Sequence, residues 1–227
     1  MKLTPKQTAK LIDHAILKPD ATREDVKKGC LIAKEYDVMS VCVRGCDVAY
    51  AKELLQGTDV LVGTVIGFPH GSQSTQAKVA ETVEAFKNGA VEVDVVMPIG
   101  MVKSGDYEYL RNELEELVEV VREHNGLIKV IFENCYLTAE EIARCTVVAS
   151  ETGVDFVKTS TGFGTSSAKI EDVQIMKGHV LGRVQVKASG GIRTYEDVLK
   201  MVEAGATRIG ASATEAIVKG AIAAQGE

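Results

Sequence analysis

The alternation of short β-branched runs with longer amphipathic segments constrains this chain more than any other feature. Strand-like runs fall near 11–16, 38–43, 60–66, 91–97, 127–132, 154–158, 184–188 and 207–211. Helical patterns lie between them, near 22–36, 47–55, 73–88, 106–124, 138–151, 169–178 and 194–204, with a last one near 213–224. Thr138-Ala-Glu-Glu141 has capping-box spacing and marks one helix start. No linker or composition break interrupts the pattern, so residues 1–227 read as one domain. Eight strands, each followed by a helix, predict an α/β fold of the (β/α)8 TIM-barrel type. A doubly wound open sheet is the alternative. It usually has fewer strands, and no GxGxxG follows the first strand here.

A glycine spacing sharpens the reading. Gly89, Gly153, Gly182 and Gly205 each precede a strand-like run, and each suits the left-handed position that ends the preceding helix. The fifth residue after each is Asp94, Lys158, Lys187 and Gly210. Four or five extended residues span about 13–17 Å, so these four residues fall at the C-terminal ends of their strands, where barrel active sites lie. Strand 5 breaks the rule, because Gly126 leads to Ile131. Alternation turns Glu92, Asp94 and Val96 to one side and Val91, Val93 and Val95 to the other, which points Asp94 into the barrel. Lys187 points inward by the same argument. Lys158 shares its side with Val154 and Phe156, and periodicity leaves its direction open.

A lysine attacks a carbonyl only when neutral. At a pKa of about 10.4, about one amine in 2,500 is neutral at pH 7. Burial and a second cation both lower that pKa. Of Lys158 and Lys187, on adjacent strand tips, either can be the nucleophile and the other the cation that keeps it neutral, with Asp94 moving protons and balancing charge. For Asp94 alone, an internal salt bridge is as good a reading as catalysis. Lys129 and Glu133 share a side of strand 5, as an interior ion pair or as part of the site. The glycine turns Gly162, Gly190-Gly191 and Gly210-Ala211-Ser212 follow strands 6, 7 and 8, and such turns present backbone N–H groups to an anion.

The remaining signals exclude more than they suggest. A net charge of −6 argues against a nucleic-acid partner. No apolar stretch approaches a membrane span, and Met1-Lys2-Leu3-Thr4-Pro5 lacks a signal h-region. Cys30, Cys42, Cys46, Cys135 and Cys145 are odd in number and widely spaced, which fits a reducing cytoplasm better than a disulfide framework. Cys42 and Cys46 lack a second Cys/His pair at zinc spacing, and His14, His70, His124 and His179 form no HxH or HxxxH pair, so no metal is expected. Cys42, at the end of strand 2, reads more readily as a small buried residue than as a reactive thiol. There is no GxSxG elbow.

Ile12-Asp13-His14, Thr64-Val-Ile-Gly-Phe-Pro69, Glu92-Val-Asp-Val-Val96, Phe156-Val-Lys-Thr-Ser-Thr-Gly162 and Lys187-Ala-Ser-Gly-Gly-Ile-Arg193 together resemble the deoxyribose-phosphate aldolases, class I aldolases on a TIM barrel. The likeness runs nearly end to end. It implies reversible cleavage of 2-deoxy-D-ribose 5-phosphate to acetaldehyde and D-glyceraldehyde 3-phosphate, in deoxyribonucleoside catabolism. It also implies Lys158 as the Schiff-base lysine, Lys187 as the lysine that perturbs it, Asp94 as an acid working through water, and Asp13 as a supporting aspartate. Gly162, Gly191, Gly210 and Ser212 match phosphate-contacting positions, with Gly190 beside them. The iminium acts as an electron sink, so no cofactor is expected; the expected bond cleavage is C3–C4. The expected partners are a small phosphorylated sugar and aldehydes, and the expected assembly is a homo-oligomer, dimer or tetramer. Three departures stand out. Ala15 replaces a frequent threonine, Ala213 replaces a second serine, and Ala223-Ala-Gln-Gly-Glu227 lacks the C-terminal tyrosine of many relatives. The last implies slower proton exchange on the enamine.

Overall fold

The computed structural model describes residues 2–226. Eight parallel strands close into a barrel in sequence order, β1 pairing with both β2 and β8. The strands are β1 (Ile12–Ile16), β2 (Ser40–Val43), β3 (Leu61–Ile66), β4 (Glu92–Val96), β5 (Leu127–Ile131), β6 (Phe156–Lys158), β7 (Gln185–Ser189) and β8 (Arg208–Ala211). The helices are α1 (Pro5–Ala9), α2 (Arg23–Glu35), α3 (Val48–Leu54), α4 (Thr75–Lys87), α5 (Ile99–Lys103), α6 (Tyr107–Glu123), α7 (Ala139–Glu151), α8 (Ile170–His179), α9 (Tyr195–Glu203) and α10 (Thr214–Ala223). The fold is a (β/α)8 TIM barrel. Two short helices, α1 and α5, were not anticipated, because five residues carry too little periodicity to register.

The local signals work as chemistry requires. Thr138 and Glu141 form a reciprocal capping box at the start of α7. Gly89, Gly153 and Gly205 follow helix C-caps with φ of +100°, +84° and +116°. After α4 the chain closes with Gly89 N–H to Phe86 O and Ala90 N–H to Ala85 O, both 3.0 Å, which satisfies two terminal carbonyls. Gly182 also has positive φ but sits in the turn beyond α8 rather than at its cap.

Val41, Val93, Val130, Val157, Val186 and Ile209 point outward and pack under the helices as the apolar core. The barrel interior is different. It is filled by buried Asp13, Ser40, Glu92, Asp94, Lys129, Lys158, Lys187 and Arg208 rather than by branched aliphatic layers. Outside the barrel, Lys78 of α4 donates to Glu113 of α6 at 2.6 Å and to Val96 O at 2.9 Å, so a fully buried ion pair ties two helices to the end of β4.

Candidate active site

The register sets the interior. Asp94 lies beside Lys129, Lys158 beside Lys187, and Asp13 beside both Ser40 and Gly210. With alternate residues facing inward, three carboxylates and four cationic side chains meet on the barrel axis. Lys158 Nζ donates to Asp94 Oδ2 at 2.6 Å, and Lys187 Nζ donates to the same oxygen at 2.7 Å. Lys129 Nζ donates to Asp94 Oδ1 at 2.9 Å and lies 2.9 Å from Glu92 Oε1. Lys187 also binds Asp13. Arg208 bridges Asp13 Oδ1 at 2.8 Å and Glu92 Oε2 at 3.3 Å, while Ser40 donates to Asp13 Oδ1 at 2.8 Å. Gly63 makes room for Glu92, since a Cβ there would sit 3.0 Å from Glu92 Cγ.

The charges decide which amine is neutral. Asp13, Glu92 and Asp94 balance three cations, and four are present. A net charge on the dry axis is costly, so one amine is driven to shed its proton. Burial lowers the pKa of Lys158; Asp94 opposes this, Lys187 reinforces it, and the net direction is down. For Lys187 burial also acts downward, but Asp13 and Asp94 outweigh it and the net direction is up. Lys129 is raised in the same way by Asp94, Glu92 and Asp13 against burial. Burial would raise Asp94, but Lys129, Lys158 and Lys187 hold it well below the usual carboxylate range. Asp13 is lowered as well, by Lys187, Lys129 and Arg208 against burial. The network therefore leaves Lys158 as the amine poised to be neutral, next to an ammonium that can donate.

Lys158 and Lys187 open into a cavity of about 810 Å³ lined also by Asp13 and Cys42. Gly162, Gly190, Gly191, Gly210 and Ser212 line the same cavity. Gly190 and Gly191 have φ of +87° and +74°, and Gly162 +89°, conformations that glycine alone adopts without strain. Ala213 at the start of α10 makes no side-chain cap, which leaves the N–H groups of the first turn, next to Ser212, without that partner. The rim is braced across strands: Thr159 Oγ1 donates to Ser189 O at 3.2 Å and accepts from Ser189 N–H at 3.1 Å.

Residues 8–224 match the sequence profile of the DeoC/LacD family aldolases. The chain belongs to the DeoC/LacD aldolase family. It is 52% identical to the deoxyribose-phosphate aldolase of Caldanaerobacter subterraneus subsp. tengcongensis over 93% of this chain and 92% of that protein. It is 51% identical to the deoxyribose-phosphate aldolase of Thermococcus gammatolerans over 94% of this chain and 96% of that one. Among solved structures it superposes on a tetrameric deoxyribose phosphate aldolase from Aeropyrum pernix, with a TM-score of 0.89 and 29% identity, over 95% of this chain and 91% of that one.

In this DeoC/LacD aldolase, Asp13, Asp94, Lys129, Lys158 and Lys187 meet at the axis and Cys42, Gly162, Gly190, Gly191, Gly210 and Ser212 line the cavity above it, with one correction to the reading of β5. Lys129 and Glu133 do not pair. Lys129 enters the axial network, while Glu133 adopts φ +55° and turns to the β6 loop, accepting from Thr161 N–H at 3.1 Å and from the Thr161 hydroxyl. Glu92 and Arg208 were missed. Glu92 shares the inward alternation of Asp94, a signal that was available; Arg208 precedes the glycine-offset position by two, and nothing local marks it. His14 is buried with Nδ1 2.8 Å from Thr214 Oγ1, and burial lowers it to about 4, which keeps it neutral. Cys42 is buried, and burial pushes its thiol up to about 12. Among the described residues, no group of three or more His, Cys, Asp or Glu is arranged to hold a metal ion, and no helix is long and apolar enough to cross a membrane.

Proposed function

We propose that the chain is a single-domain class I aldolase that reversibly cleaves 2-deoxy-D-ribose 5-phosphate to acetaldehyde and D-glyceraldehyde 3-phosphate through a Schiff base on Lys158. The observation that carries this reading is the sharing of Asp94 Oδ2 by Lys158 and Lys187, with Lys158 shifted toward the neutral amine and Lys187 toward the ammonium. Neutral Lys158 attacks the aldehyde carbon, C1. Lys187 supplies the proton on which the carbinolamine oxygen leaves as water, and Asp94 passes protons between them. The iminium then accepts the electron pair of the bond between its α and β carbons. That bond is C2–C3, and not C3–C4 as expected from the sequence: only cleavage at C2–C3 gives a two-carbon enamine and a three-carbon aldehyde. The C3 hydroxyl gives up its proton as C3 becomes the carbonyl of glyceraldehyde 3-phosphate. Protonation of the enamine at C2 and hydrolysis release acetaldehyde and regenerate Lys158.

The glycine loops at Gly162, Gly190, Gly191 and Gly210, with Ser212 and the uncapped start of α10, suit the phosphate. Asp13 holds Lys187 and completes the charge balance. We read the chain as a cytoplasmic catabolic enzyme acting in deoxyribonucleoside breakdown, as a homo-oligomer, dimer or tetramer. The free cysteines fit a reducing compartment, and the tetrameric aldolase from Aeropyrum pernix supports an oligomer. Borohydride reduction in the presence of acetaldehyde, followed by peptide mass mapping, tests the chemistry. An ethyl group on Lys158 is expected, and its absence there sinks the proposal.

A further inference from the structure

Glu133, just past β5, holds a conformation that its own residue type disfavours. Its φ of +55° and ψ of 62° are left-handed, where glycine sits freely and a glutamate is strained. It is also only 2% exposed, and a buried carboxylate is costly unless its oxygens are hydrogen-bonded. Strain and burial at one residue point to what its side chain does. Both oxygens go to Thr161, in the loop after β6. Oε1 accepts from the Thr161 N–H at 3.1 Å, and Oε2 accepts from the Thr161 hydroxyl.

That loop needs a hold. It runs from Thr159 to Lys169, between β6 and α8. Among the described residues, none of 160–167 makes a main-chain to main-chain hydrogen bond. Ordering such a segment costs conformational entropy that its own backbone does little to offset. Thr161 passes the hold on, since its Oγ1 accepts from the Phe163 N–H at 3.0 Å. Gly162, between the two, has φ +89° and lines the cavity. The loop then folds closely over the carboxylate: a Cβ on Gly164 would sit 2.9 Å from Glu133 Cδ. The anchor itself is fixed from both sides, because the Phe132 N–H donates to Lys158 O at 3.0 Å and the Asn134 N–H donates to Thr159 O at 2.9 Å.

We infer that Glu133 is a positioning residue for the phosphate end of the site: through Thr161 it holds Gly162 and the neighbouring loop N–H groups where the phosphate of the sugar docks. The inference rests on the aldolase reading, in which the glycine loops take that phosphate. The role is one of binding. Imine formation on Lys158 depends on the axial charges, and the hydrogen bonds of Glu133 go to the loop instead.

Glu133→Gly is the test, since glycine relieves the left-handed backbone and removes only the hold. KM for 2-deoxy-D-ribose 5-phosphate is expected to rise about tenfold, with kcat changed less than about twofold. Competitive inhibition by inorganic phosphate should weaken by a similar factor. Borohydride trapping of acetaldehyde on Lys158 should stay within about twofold of the unaltered rate. Thr161→Val keeps the N–H and loses the hydroxyl link, and should raise KM about threefold. Glu133→Gln can still accept from the Thr161 N–H and should lie nearer the unaltered protein than Glu133→Gly. Unchanged KM and phosphate inhibition in Glu133→Gly overturn the inference. So does a trapping rate that falls as far as KM rises, because the carboxylate would then brace the whole site. If Glu133→Gly does not fold, Thr161→Val decides, and an unchanged KM there overturns the inference. Failure of the unaltered protein to turn over the sugar phosphate would sink the aldolase reading by itself. Binding of inorganic phosphate, read by phosphorus NMR, then decides the hold: weaker binding in Glu133→Gly supports it, and equal binding overturns it.

Discussion

Lys158 and Lys187 donate to one and the same oxygen, Asp94 Oδ2, at 2.6 and 2.7 Å. One acceptor atom cannot favour both as ammonium ions on a dry axis that already balances without one of them. Lys187 has Asp13 as a second acid and Lys158 does not. That difference, more than the mere presence of two lysines, assigns the neutral amine.

Charge counting predicts shifts of opposite sign. Neutral Lys158 is the nucleophile, so imine formation rises with pH through its pKa, and a lowered pKa places that rise at lower pH. Lys187→Met removes a cation and leaves Lys158 to balance the three acids, which moves the rise up by about one to three pH units. Glu92→Gln removes an acid and moves it down by about one unit. The pH dependence of acetaldehyde imine formation in the two variants checks this; shifts in the same direction contradict it.

The glycine wall is tested at Gly191. Its φ is +74°, and a Cβ there would sit 2.7 Å from both Cβ and Oγ of Ser167. Gly191→Ala is expected to raise KM for the phosphorylated sugar about tenfold, equivalent to about 1.4 kcal/mol, with a smaller effect on kcat. Steady-state kinetics showing an unchanged KM would remove this loop from the phosphate site.

Cys42 lines the cavity, but its thiol, at about 12 against an ordinary 9.0, stays protonated near neutrality. At pH 8 in the folded protein, iodoacetamide is expected to label exposed Cys46 about a hundredfold faster than Cys42. Comparable rates by peptide mass mapping would restore the reactive reading of Cys42.

The Lys78–Glu113 pair carries a stability prediction. Both side chains are fully buried, so Lys78→Met strands a carboxylate and is expected to cost about 3–5 kcal/mol in urea unfolding. Lys78→Met with Glu113→Leu should recover most of that. A loss under about 1 kcal/mol in the single variant contradicts the pair's role.

The sequence made the barrel legible because eight repeats of one local pattern reinforce each other, but the glycine offset reached a strand end only at Lys158, since Asp94 and Lys187 lie at the centres of β4 and β7 and Gly210 one residue short of the end of β8. It failed at Gly126 because the polar residue of β5, Lys129, sits two positions deeper, while Ile131 takes the rim level beside Lys158. The direction of Lys158 was not legible, since Phe156 on the same side is itself in the interior, under the guanidinium of Arg208. Glu133 could not be placed from alternation, because the strand ends at Ile131 and a left-handed residue breaks the period. Glu92 was within reach of the alternation that placed Asp94, whereas Arg208 became a member of the site only through its contacts across the barrel with Asp13 and Glu92.

The central claim is that Lys158 reacts because the axial charges balance without it. The most direct measurement is the pH dependence of the rate at which acetaldehyde and borohydride leave an ethyl group on each lysine, followed by mass mapping. The account predicts that Lys158 is the dominant site at neutral pH and that its rate levels off at a pH below its ordinary 10.5. A Lys158 rate that keeps rising to that value, or a dominant adduct on Lys187, would contradict it.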